Sequence, residues 1–207
     1  MVAELLASQS LGLERIDAFA FGSGPGAFTG LRTGCALVQG LAFACERPVV
    51  AVGSLRALAF CAGRQAGAAE APLGARVQPT AELRVMAATD ARMGQLYWAV
   101  YDGNEAAREA AAPALASPDQ VAELVACWQP HVIAGDALGV FASAWPNQSG
   151  AVRLPNVGPD ASAVAQLALV DLARGRGVPA RDAAPDYVRD RVALTVQQRA
   201  ELRGRVS

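Results

Sequence analysis

The chain has 207 residues, of which 53% are hydrophobic and 18% are charged. A hydrophobic share this high excludes an intrinsically disordered protein, and the length suffices for one large domain or two small lobes. The 18 basic residues, all arginine, and 19 acidic residues give a net charge of −1, which provides no overall attraction to nucleic acid or anionic membranes. Because lysine is absent, the chain has no lysine that could bind phosphate in a Walker-type loop and none that could form a Schiff base with a substrate.

The cysteines and the histidine do not form a metal-site pattern. The four cysteines are far apart with no C-x-x-C pair, and His131 is the only histidine, so we expect no bound metal. His131 precedes a short apolar segment and is expected at the end of a strand. The first residues lack a basic region and include Glu4, which argues against a signal peptide and favours a cytoplasmic protein that does not bind membranes.

The first third of the chain alternates strands and helices, which predicts an α/β fold. The predicted elements are a helix over residues 1–8, a strand over 16–22, a glycine-rich turn over 22–26, a helix over 28–45, a strand over 49–52 and a helix over 55–61. An alanine-, glycine- and proline-rich stretch then indicates a linker. We therefore predict a remnant of a first lobe over residues 1–66 and a linker over 67–81.

The remainder of the chain predicts a second lobe over residues 82–190 and a tail over 191–207. Its predicted elements are a hairpin of strands 83–89 and 96–101, a helix over 118–127 with Ser117 as N-cap, a strand over 132–134 and a helix over 160–174. The five arginines at positions 189, 191, 199, 203 and 205 suggest two alternatives, a contact with nucleic acid or a solvated helix end.

The glycine-rich turn is the most informative local motif. A dinucleotide fingerprint G-x-G-x-x-[GA] matches at Gly22, Gly24 and Ala27, but the next strand is not followed by an acidic residue, and Pro25 removes one N–H donor. Two interpretations stay open: a degenerate anion site, or a tight turn that lets the following helix pack closely. The residues of this glycine loop are Gly22, Gly24, Pro25, Gly26, Thr29 and Gly30.

The predicted helix after this loop has no charged residue from position 33 to position 45. A helix that is apolar all round cannot face water on a wide side, so it needs a cover on more than one face. Either the chain's own helix over residues 1–8 provides the second cover, or helices of a partner protein do; we favour the partner, because the small residues of this helix would let another helix approach closely.

Five segments, over residues 24–34, 39–43, 48–58, 90–97 and 185–190, resemble the signature of the TsaB family. The resemblance implies a two-lobed α/β fold of the actin/Hsp70/sugar-kinase type with ribonuclease H-like lobes. Family members begin with strands that have no counterpart here, so the resemblance also implies a first lobe that lacks its leading strands.

The resemblance further implies a non-catalytic subunit. TsaB proteins pair with the related TsaD, and with the ATPase TsaE, to transfer a threonylcarbamoyl group from its adenylate to the adenosine beside the anticodon of ANN-reading tRNAs. It implies no cofactor on this chain alone, ATP or ADP possible in the complex, tRNA reached through the complex, and a possible homodimer in isolation. The residues expected at the interface are Phe28, Leu31, Arg32, Cys35, Val38, Gln39 and Ala42.

Two other function classes remain as alternatives. An ATP-dependent phosphotransferase of the same fold would use Asp90 and Arg92 as a degenerate phosphate-side turn, although an aspartate there is also a common turn former. A hydrolase would need a nucleophile such as Ser23, but the G-x-S-x-G elbow is absent around it.

Overall fold

The computed structural model describes residues 2–68, 83–102, 108–147 and 150–189. In chain order its helices and strands are α1 (Val2–Ser8), β1 (Phe19–Gly24), α2 (Phe28–Ala44), β2 (Val49–Gly53), α3 (Ser54–Ala68), β3 (Arg84–Arg92), β4 (Gln95–Asp102), β5 (Arg108–Ala116), α4 (Val121–Trp128), β6 (Val132–Ala134), α5 (Ala137–Val140), β7 (Val152–Leu154) and α6 (Ala161–Ala173).

These strands form two separate sheets. β1 and β2 pair in parallel, with Phe19 opposite Val49, and the second sheet has the order β5-β4-β3-β6-β7. In the second sheet β3, β4 and β5 are antiparallel neighbours, whereas β6 lies parallel to β3 and β7 parallel to β6. The predicted α/β fold is confirmed. No helix in the described part of the chain is both long enough and apolar enough to cross a lipid bilayer.

Most predicted elements are present, and the differences lie mainly at weakly patterned segments. α3 continues to Ala68, beyond the predicted end at residue 61, and the predicted capping residue Ser117 forms a capping box with Gln120 before α4. β5 and β7 were not predicted. β5 is rich in alanine and contains Pro113, both of which are depleted in strands, and it is held by pairing with β4.

α3 lies between the two sheets and contributes to both cores. Leu55, Leu58 and Ala62 pack with Val85 and Val132 of the second sheet. Ala57 and Phe60, on another side of α3, pack with residues of β2 and α6. The two halves of the molecule are therefore joined by a buried helix.

The structure corrects the predicted boundary of the second lobe. Residues 82–190 were expected to form one lobe, but Leu167 of α6 packs against Val50 and Val52 of the first sheet. Farther along, Ala180 and Ala183 pack with Phe21 and Val49 of the same sheet. The chain therefore returns to the first sheet after β7. The predicted linker from residue 69 onward and the predicted tail 191–207 lie outside the described residues.

A buried carboxylate fixes this return. Asp171 of α6 is 3% exposed. Its Oδ2 accepts a hydrogen bond of 2.5 Å from Arg56 Nη1 of α3, and its Oδ1 accepts one of 3.1 Å from Arg176 Nη1. The ion pair thus ties α6 to the helix that joins the two sheets.

We expect Asp171→Ala to lower the free energy of unfolding by about 3–5 kcal/mol, because it removes the buried carboxylate that pairs with both Arg56 and Arg176. Urea unfolding followed by circular dichroism measures this. The matched control is Asp182→Ala, since the Asp182 side chain is exposed and forms an ion pair with the neighbouring Arg181 at 3.8 Å; such surface pairs contribute about 0–1 kcal/mol. Equal losses in the two variants would contradict the role assigned to Asp171.

Candidate functional site

One face of α2 is closed by the protein's own core. Cys35 and Ala42 are buried among Phe21, Val49 and Ala183, and Val38 packs against the same group. This burial raises the pKa of the Cys35 thiol. Intramolecular contacts therefore line this face of α2 from Cys35 to Ala42.

The segment over residues 183–189, which we call the C-terminal strap, completes this closure. The carbonyl oxygen of Ala183 accepts hydrogen bonds from Gln39 Nε2 at 2.9 Å and from Cys35 Sγ at 3.5 Å. The expectation of a partner interface is corrected for Cys35 and Ala42, because both are buried within the chain itself. Val38 and Gln39 are half-buried, and their place at a partner interface stays a prediction. Leu31 is half-buried, with its methyl carbons beside Gly24 and Gly26.

The opposite face of α2 is exposed, and we call it the open face. Phe43 is 78% and Leu37 51% exposed there. A Cβ atom built on Gly30 or Gly40 would meet no other group within 4 Å. The interpretation that α1 covers this face is wrong, since its members are all exposed. The open face comprises Thr29, Gly30, Thr33, Ala36, Leu37, Gly40, Phe43 and Ala44.

The glycine loop lies against the C-terminal strap. The Asp186 N–H donates to the Ser23 carbonyl oxygen at 2.7 Å. Gly24 has φ +126°, and a Cβ atom at this position would lie 2.4 Å from the Asp186 carbonyl oxygen. Glycine is therefore required for the conformation and for the close approach of the strap backbone. This geometry favours the tight-turn interpretation, with α2 starting at Phe28 and no side-chain cap at Ala27.

An aromatic–arginine cluster stands where α2 begins. The Arg32 guanidinium carbon lies 3.8 Å from the centre of the Phe28 ring, and Arg32 Nε donates to the Tyr187 hydroxyl at 3.0 Å. The rings of Phe28 and Tyr187 are 5.5 Å apart, and both residues are 40% exposed. Of the predicted interface residues, Phe28 and Arg32 therefore stay accessible. Tyr187 was not predicted as a site residue; its only signal was its place in the C-terminal signature segment.

Asp90 and Arg92 form a local turn structure. Asp90 Oδ1 accepts from the Arg92 backbone N–H at 2.8 Å, and Asp90 Oδ2 lies 3.0 Å from Arg92 Nη1. The Asp90 N–H in turn donates to Asp136 Oδ1 at 2.9 Å. The carboxylate of Asp90 is thus engaged in shaping the β3–β4 turn, as expected of a turn-forming aspartate.

The histidine and cysteines behave as structural residues. His131 lies directly before β6, as predicted, and its Nδ1 accepts from the Arg84 N–H at 3.0 Å. Cys127 is exposed on α4, whereas Cys35 is buried. Among the described residues there is no group of three or more His, Cys, Asp or Glu side chains that could hold a metal ion.

Comparisons with known proteins show to which family the chain is similar. Residues 1–168 match the family model described as TsaD, tRNA N6-adenosine threonylcarbamoyltransferase. The tRNA threonylcarbamoyladenosine biosynthesis protein TsaB of Escherichia coli is 34% identical over 202 residues, which cover 93% of this chain and 79% of that protein. The protein of the same name from Haemophilus influenzae is 41% identical over 98 residues, which cover 47% of this chain and 36% of that protein.

Two solved structures from Pseudomonas aeruginosa share the fold. The structure of YeaZ has a TM-score of 0.74 at 38% identity and covers 90% of this chain and 80% of its own. An uncharacterized protein with similarity to peptidase YeaZ has a TM-score of 0.72 at 38% identity, with 91% and 81% covered. The resemblance to TsaB and the actin-like fold class are confirmed. The chain belongs to the family that the TsaD model describes and, within it, to the TsaB proteins of tRNA threonylcarbamoyladenosine biosynthesis.

Proposed function

We propose that this chain is a non-catalytic scaffold subunit that acts in the cytoplasm. It pairs through the open face of α2 with a TsaD subunit, with TsaE as a further member of the complex. In this way it supports transfer of a threonylcarbamoyl group to the adenosine beside the anticodon of ANN-reading tRNAs. The observation that carries the proposal is the open face itself, an uncharged and largely apolar helix surface left in water.

The composition of the open face suits a helical partner. Gly40 and Ala36 have no side chain or a small one, so the middle of the open face is a shallow depression. The side chains of Leu37 and Phe43 project on either side of it. Small residues allow a second helix to approach to the 8–10 Å axial distance typical of packed helices. Each glycine within α2 costs about 1 kcal/mol relative to alanine. Burial of one large apolar side chain contributes roughly 1.5–3 kcal/mol of stabilising free energy, so pairing with another helix offsets the cost of the glycines.

The glycine loop supports a non-catalytic role. On the side that the strap covers, between Pro25, Phe28, Tyr97 and Tyr187, the cavity has a volume of about 60 Å³. Small-molecule sites usually occupy roughly 300–1,000 Å³, so this space is too small for a nucleotide. Asp90, the candidate base of the alternative phosphotransferase, is held by Arg92 and the turn backbone. No observation favours the phosphotransferase over the scaffold.

Leu37→Asp is expected to weaken binding to the TsaD subunit of the same organism by ~100-fold or more. The variant would bury an unpaired carboxylate at the centre of the contact, and a 100-fold loss corresponds to about 3 kcal/mol. Isothermal titration calorimetry with purified subunits measures the dissociation constant.

The matched control for Leu37→Asp is Leu169→Asp, because Leu169 is an equally apolar and 67% exposed helical residue on α6. This variant should bind TsaD as tightly as the wild type. The scaffold proposal is wrong if Leu37→Asp and Phe43→Asp both bind like the wild type. Light scattering of the chain without TsaD reports whether a second copy occupies the open face, in which case Leu37→Asp converts the dimer to a monomer.

The chain without its partners is expected not to bind ATP or ADP, because the strap occupies the space beside the glycine loop. Titration of the isolated protein with nucleotide at millimolar concentration should give no heat beyond dilution. Saturable binding that is lost in an Asp90→Asn variant would favour the phosphotransferase instead.

A further inference from the structure

The C-terminal strap ends on the turn between β3 and β4. Arg189 Nη2 donates to the Ala91 carbonyl oxygen at 3.2 Å and to Gln95 Oε1 at 2.9 Å, and Arg189 Nη1 lies 2.9 Å from the Met93 sulfur. One guanidinium group thus contacts three acceptors on a turn 94–98 residues away in sequence. The planar fork of arginine suits such a set of acceptors better than the point charge of lysine.

The middle of the strap holds the start of α2. Asp186 binds the glycine loop through the Ser23 carbonyl oxygen, and Tyr187 contacts both Phe28 and Arg32. Only Val188 separates Tyr187 from Arg189, and two residues of extended chain span at most ~7 Å. If Arg189 moves, Tyr187 must therefore move with it, and the aromatic–arginine cluster shifts as a result.

We propose that Arg189 is a positioning residue for the partner-binding surface. By joining the strap to the β3–β4 turn, it fixes the aromatic–arginine cluster and with it the first turn of α2, where the open face begins at Thr29 and Gly30. The second sheet, through its β3–β4 turn, thereby fixes the position of the open face, which lies on a helix packed against the first sheet. This inference rests on the proposed function, since the surface it positions is the one proposed to bind TsaD.

The geometry of Arg189 supports positioning rather than solubility or simple core packing. The residue is half-buried, and both terminal nitrogens of its guanidinium bond to the turn, whereas its Nε is buried with no hydrogen-bond partner among the described residues. All three acceptors are uncharged. The hydrogen bonds from Arg189 therefore depend on the position of the β3–β4 turn, and they are lost if the turn and the strap separate.

Amide hydrogen exchange of the chain without its partner tests the coupling directly. In Arg189→Ala we expect exchange to become ~10-fold faster at residues 31–35 of α2 and at residues 92–96 of the turn, because the opening free energy of these local units falls. Exchange in the centres of β3 and β4 should not change. Arg189→Lys, which keeps the charge but not the fork, should give an intermediate effect. The matched control is Arg174→Ala, since Arg174 is an exposed arginine at the end of α6.

Titration with TsaD provides the second readout. The dissociation constant should rise 5–10-fold in Arg189→Ala, less in Arg189→Lys and not at all in Arg174→Ala. Unchanged exchange at residues 31–35 overturns the proposal, and so does faster exchange with unchanged affinity, which would make Arg189 a purely structural residue. If Arg189→Ala does not fold, Gln95→Ala removes one acceptor from the turn side and should shift both readouts in the same direction.

The two proposals fail differently. A wild-type chain that does not bind TsaD overturns the scaffold function, whereas the exchange experiment needs no partner and still decides whether Arg189 couples the turn to α2. Loss of binding in Leu37→Asp with normal affinity in Arg189→Ala retains the scaffold function and rejects the positioning role.

Discussion

The constraint on which this structure depends is the return of the chain across α2 after β7. α6 is anchored through Asp171 to α3, and from there the chain reaches Ala183, whose carbonyl oxygen binds Gln39 and Cys35. This return closes one side of a helix that has no charge between positions 33 and 45. Because a helix of this composition has apolar groups on every side, closing one side by intramolecular contacts leaves the apolar side chains of the open face exposed to water.

The same return decides what the glycine loop does. A loop of this kind binds phosphate when its backbone N–H groups face the ligand at a helix N-terminus. Here the Ser23 carbonyl oxygen accepts the Asp186 N–H, and the Asp186 carbonyl oxygen would lie 2.4 Å from a Cβ atom at residue 24. The strap backbone thus packs directly against the loop, which favours a structural turn over an anion site. The loop therefore serves the packing of α2 and the strap, and the open face is left as the surface that can carry function.

Sequence patterns located the elements well where a local signal was strong. The glycine loop and Pro48 bracket α2, and alternation marked the β3–β4 hairpin, so both were predicted within a few residues. The inner and outer faces of α2 could not be told apart, because Cys35 and Leu37 are equally apolar and only the strap, far along the chain, decides which one is buried. β5 was missed because five of its nine residues are alanine, so its state depends on pairing with β4 rather than on propensity.

The site was predictable only where its residues are neighbours in sequence. That Phe28 and Arg32 lie at a partner interface stays a prediction. The two residues lie one helical turn apart and contact each other, but the Tyr187 hydroxyl that binds Arg32 comes from 155 residues away. Local periodicity carries no information about such a contact, and composition does not distinguish Arg189, which holds the strap, from the other arginines near the end of the chain. The open face and the cluster beside it are therefore a tertiary property of the chain. Under the proposed function, their dependence on the strap means that substitutions outside α2 would change partner affinity without touching the partner.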